Sequence, residues 1–115
     1  MKLAWMTLIA LGRAAAAESQ VELAAKANQD GVDLMMKSKY DDAVAKFRDA
    51  VARVPEPKYF FNLCTALFQT GKFDEALTAC TAVGKSKPPP ELAAKTDKLI
   101  AKIRDEAKAQ HIKLD

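Results

Sequence analysis

Residues 72–77 read KFDEAL, and 33 positions earlier residues 39–44 read KYDDAV. The same shift lays Gly31 over Cys64, Leu34 over Leu67, Phe47 over Cys80 and Pro55 over Pro88. Agreement at this many spaced positions marks an internal repeat. A period in the low thirties belongs to stacked helical hairpins, in which each unit buries its apolar face against the next. In both copies an aromatic residue precedes two acids, Asp41 and Asp42 or Asp74 and Glu75. Carboxylates in a first turn favour the positive end of a helix dipole, so each copy is expected to open a helix rather than to form a catalytic acid pair.

Outward from these two copies the pattern stays helical. Before the first, Ala24, Ala27, Gly31 and Leu34 recur at three- or four-residue spacing, the stripe of an amphipathic helix. Ser19 and Glu22 have the S-x-x-E form of a capping box, which predicts a start there. Its end is expected near Lys37 to Lys39. The helix YDDAVAKFRDAVAR is closed by Pro55 and Pro57, and the next, from Lys58 to Thr70, carries two apolar stripes. Phe60, Leu63, Cys64 and Leu67 form one, and Phe61, Thr65 and Phe68 form another about 100° around. Beyond Pro88 to Pro90, the residues Leu92, Thr96, Leu99, Ile103 and Ala107 line one side of a last helix. The expected fold is all-α: two stacked antiparallel hairpins, with repeat 1 over about 24–56 and repeat 2 over about 57–89, closed by a capping helix over about 90–111.

At 115 residues the chain has room for one small domain, and 50% hydrophobic with 29% charged residues is a globular composition rather than a disordered one. Residues 1–17, MKLAWMTLIALGRAAAA, run from Lys2 through an apolar stretch to a row of alanines. That is the order of a secretory signal peptide, with Ala15 and Ala17 as a small-x-small cleavage site. Residues 18–111 would then be the mature helical domain. The expected location is the periplasm, with secretion or tethering by an uncleaved N-terminus as the alternatives. The apolar run is too short to span a bilayer of about 30 Å, so no stable membrane span is expected once the leader is removed. Cleavage would take Lys2 and Arg13 away and leave 16 basic residues against 15 acidic ones.

Catalytic chemistry is hard to find. His111 is the only histidine and stands near the C-terminus, and the chain holds no metalloprotease, nucleophile-elbow or phosphate-loop motif. No cofactor, no metal and no enzyme activity are expected. On the last helix Lys95, Lys98, Lys102, Arg104 and Lys108 alternate with Glu91, Asp97, Asp105 and Glu106. Mixed sign of this kind marks a solvated face rather than a nucleic-acid surface.

The second unit resembles the tetratricopeptide repeat family in Phe60, Leu63, Leu67, Gly71, Phe73, Ala76 and Pro88, with Asn62 before Leu63. The first unit resembles it in Gly31, Leu34, Tyr40, Ala43, Phe47, Ala50 and Pro55, while Ala27 stands for a large aromatic and Ser38 for the turn glycine. Together with the leader, the chain is similar to small envelope proteins of Gram-negative bacteria that carry these repeats. The resemblance implies a right-handed helical solenoid that binds a protein or peptide segment in the groove formed by the first helices of successive units. On this chain that groove would be lined by Asn28, Val32, Met35, Met36, Lys58, Phe61, Thr65, Phe68, Lys95 and Lys102. Its apolar floor and lysine rim suit a segment that is both acidic and apolar. A competing expectation is self-association through the exposed side of the first or last helix, which a strict monomer in sedimentation would exclude.

Cys64 and Cys80 fall where the family packs its hairpin helices closely, and three readings stay open. They are two small core residues, a structural disulfide favoured by an oxidising compartment, or a redox pair. The last lacks both a C-x-x-C motif and an adjacent cation to lower a thiol pKa.

Overall fold

The computed structural model describes residues 2–114, with side chains from Ser19 onward. Five helices follow one another, with no strand among the described residues: α1 (Lys2–Met36), α2 (Tyr40–Arg53), α3 (Pro57–Gln69), α4 (Phe73–Lys85) and α5 (Pro90–Ala109). α1 packs along α2 and α3 along α4, so each expected hairpin is present. α2 joins the first pair to the second through α3, α5 lies on α4, and α3 also touches both α1 and α5. Prolines sit in the first turns of α3 and α5, after the extended residues Glu56 and Pro89. A proline there has no N–H to lose and has φ preset for a helix.

The repeat extends to the backbone of the turns. Ser38 has φ 60° and Gly71 has φ 78°, at matching positions of the two hairpins. After them the N–H of Lys39 donates to the Leu34 carbonyl at 2.9 Å, and that of Lys72 to the Leu67 carbonyl at 3.0 Å. Both are the long bond of a Schellman closure, which needs a left-handed residue just after the helix. Glycine adopts that conformation freely, whereas serine does so at a steric cost. Ser38→Gly is therefore expected to raise stability by about 0.5–1 kcal/mol, and Gly71→Ala to lower it by about 1 kcal/mol. Urea denaturation of the two variants checks both signs.

Where each pair of hairpin helices crosses, the two repeats solve the contact differently. In the first, the Phe47 ring lies on Gly31 so closely that a Cβ built there would stand 2.5 Å from Phe47 Cε1. In the second, the same two positions are Cys64 and Cys80, at disulfide distance with Cα atoms 5.4 Å apart. One hairpin is held by a ring over a bare backbone and the other by a covalent link.

The main core gathers Ala43, Val44, Phe47, Leu63, Cys64, Leu67, Phe73, Cys80 and Ile103. A second cluster joins Ala24, Ala27 and Ala50 of the first hairpin to Tyr59 of α3. The three small residues leave a seat, and Tyr59, 4% exposed, fills it from the next unit.

One expectation is corrected. The capping box at Ser19 does not begin a helix, because α1 runs unbroken from Lys2. Ala14 to Ala17 precede it directly, and alanine is the strongest helix former, so the backbone has no reason to stop there. The reading of residues 1–17 as a removable leader rests on side chains outside the described ones. Among the described residues no helix is long and apolar enough to cross a membrane.

Candidate functional site

The side of the molecule shared by α1, α3 and α5 holds most of the residues singled out for binding. Asn62 of α3 donates from Nδ2 to Oδ1 of Asn28 on α1 at 2.8 Å. This half-buried amide bond fixes the two helices at one end of a pocket of about 180 Å³, lined by Val32, Met35, Met36, Phe47, Asn62 and Thr65. Thr65 donates its hydroxyl to the Phe61 carbonyl at 3.0 Å, so its polar atom is satisfied within its own helix. The surface that remains is largely apolar. Met36 is 81% exposed, and methionine on such a rim adapts its shape to what it meets.

Toward α5 the face changes character. The Phe68 ring sits 5.7 Å from that of Phe73, tilted by 42°. Lys102 Nζ lies 5.7 Å from the Phe68 centroid, a distance at which the ring quadrupole attracts the ammonium. Lys95 is exposed on the same helix, two turns before Lys102, and Leu99 between them packs on the core. Because Phe73 holds one side of Phe68 and Lys102 hangs over the ring, a half-buried aromatic is presented with a cation beside it.

The structure thus gathers Val32, Met35, Met36 and Thr65 into one pocket with Asn28 at its edge. Phe68 and Lys102 make a separate contact, and Lys58, Phe61 and Lys95 do not line the pocket. Lys58 differs most from expectation: its ammonium is 3.7 Å from the Glu56 carboxylate and 5.5 Å from the Tyr59 ring centroid. Its charge is partly offset at that end of the rim, although an exposed pair of this kind contributes little to stability. Phe47 and the Asn28 to Asn62 bond are additions to the site. The asparagine pair has a trace in the sequence, since a separation of 34 is close to the repeat and puts both on successive first helices.

Behind this face lies the disulfide. The two cysteines are joined in a disulfide rather than standing as separate core thiols, and no free cysteine is found among the described residues. Cys64 is fully buried and Cys80 is 1% exposed. Among the described residues no buried side-chain polar atom lacks a hydrogen-bond partner, and no group of three or more metal-ligating side chains occurs. Comparison with protein-family models, with curated proteins and with solved structures finds no match to this chain.

Proposed function

We propose that the chain is a non-catalytic interaction module, a tetratricopeptide-like stack that takes a protein or peptide segment along the face of α1, α3 and α5. The observation that carries the reading is the apolar pocket between Met35, Met36, Val32 and Thr65; the Phe68 and Lys102 contact is a second, separate feature of the same side. An aliphatic or aromatic side chain of the partner would fill the pocket, and a carboxylate would meet Lys102 or Lys95. Affinity would come mainly from apolar burial, with the lysines selecting for acidic segments. Export belongs to the same reading: the order of charge, apolar run and alanines in residues 1–17 suits a leader, and a buried disulfide suits an oxidising compartment.

A library of displayed twelve-residue peptides, panned against the intact protein, tests this reading. Selected peptides are expected to lose binding at least about tenfold to a variant carrying Met35→Asp and Phe68→Asp, because a buried carboxylate in either place opposes apolar contact. The helical circular dichroism of the variant should persist. Undiminished binding to a folded double variant would contradict the assignment of this face.

A further inference from the structure

The disulfide is enclosed on most sides. Leu63, Leu67, Phe73, Ala76 and Ile103 belong to the same buried cluster as the two cysteines, and neither cysteine lines the pockets between α1 and α3 or between α2 and α4. One side is different. Between α4 and α5 a cleft of about 290 Å³ reaches Cys80 and is lined as well by Val83, Gly84, Pro88, Ala93 and Ile100. Gly84 is exposed at the rim of this cleft, and a Cβ built on it meets nothing within 4 Å, so there is room for a side chain there.

We propose that Cys80 is a thiol-exchange site, reached by a dithiol through the α4–α5 cleft and gated by the docking of α5. A thiolate of the dithiol bonds to Cys80 Sγ, and the bond to Cys64 breaks with its electron pair on Cys64 Sγ, which then takes a proton from water. The second thiol of the reagent loses its proton and attacks the reagent sulfur of the mixed disulfide. Cys80 leaves as a thiolate and is protonated in turn. Two electrons pass to the protein, and the dithiol becomes a disulfide.

The chemistry explains why α5 acts as a gate. Cys64 is fully buried among apolar side chains, a setting that disfavours its leaving as a thiolate until water enters. α5 is anchored by the buried residues Thr96, Ile103 and Ala107 with Leu99 and Ile100 partly buried beside them, fewer than hold the hairpins, so partial opening at this helix costs less than unfolding them. Exchange then occurs without loss of the whole fold.

The test compares Gly84→Leu with Gly84→Ala in the full chain. Both remove a helical glycine and gain similar helix propensity, but only leucine is long enough to extend from the rim over the cleft. With dithiothreitol as the probe, and alkylation plus intact mass as the readout, Gly84→Leu should be reduced about tenfold more slowly than Gly84→Ala. A brief reaction with the monothiol 2-mercaptoethanol, quenched in acid and mapped, should place the adduct on Cys80. Equal reduction rates in the two variants, or an adduct chiefly on Cys64, would overturn the proposal. Should Gly84→Leu fail to fold, Ala93→Leu fills the same cleft from α5 and carries the comparison against the unaltered chain.

Discussion

Phe47→Ala is expected to lower folding stability by about 3–5 kcal/mol, the range for deleting a buried phenyl ring. Phe47 is 1% exposed and packs at once on Gly31 of α1 and in the core shared with α3, so its loss loosens both the first hairpin and the joint between hairpins. A small helical domain is stable by only about 5–15 kcal/mol, which makes this a large fraction of the total. A second substitution identifies the cause. Gly31→Ala alone should destabilise, because its Cβ would lie 2.5–2.8 Å from three atoms of the Phe47 ring, so a ring that is packed in the core would have to shift. Overpacking of about 1–3 kcal/mol outweighs the gain of about 1 kcal/mol from replacing a helical glycine. In the Phe47→Ala background the ring is absent and the same Gly31→Ala change should stabilise by about 1 kcal/mol. A denaturation cycle over the four proteins tests the reversal of sign. Independent, additive effects would mean that the ring does not rest on Gly31.

Removing the cross-link has the second largest expected effect. The paired cysteines are 16 residues apart, and closing a loop of about 15 residues contributes about 3 kcal/mol in the chain-entropy model. For a domain of this size that corresponds to roughly 12–24 °C in melting temperature. Replacing both cysteines by alanine should therefore lower the melting temperature by that amount and abolish its dependence on reductant. The second hairpin has no equivalent of the Phe47 ring at its crossing, so no large side chain there offsets the lost link. An unchanged melting temperature would show that Ala66, Ala76 and Ala79, all buried nearby, hold α3 against α4 without it.

Much of the architecture is legible in the sequence because the two units repeat both their apolar positions and their turn chemistry. KYDDAV and KFDEAL mark the starts of α2 and α4, and Ser38 and Gly71 mark the two left-handed turns. What escapes reading depends on contacts between units. Tyr59 gives no signal of being core until Ala24, Ala27 and Ala50 are known to face it from another hairpin. Lys58 reads as a free basic rim, yet the turn after Pro55 brings Glu56 beside it. Ser19 has the chemistry of a helix cap, but a capping residue acts only where the preceding backbone leaves the helix, and here alanines carry it through.

The binding face shows the same division. Apolar residues at helical spacing mark Val32, Met35, Thr65 and Phe68 as a second stripe, whereas their grouping around Phe47 and beside an Asn28 to Asn62 bond is set by the angle between α1 and α3. Spacing along one helix carries no information about that angle.

The central claim is that this face, rather than the opposite one, meets the partner. The most direct measurement places a photo-activatable benzoylphenylalanine at Met36, and in a separate protein at the exposed Ala52 of α2, in cells that make the chain, followed by irradiation and mass analysis of adducts. A discrete adduct from position 36, lost on adding Phe68→Asp, with none from position 52, is the predicted result. Adducts from position 52 alone, or equally from both positions, would contradict it.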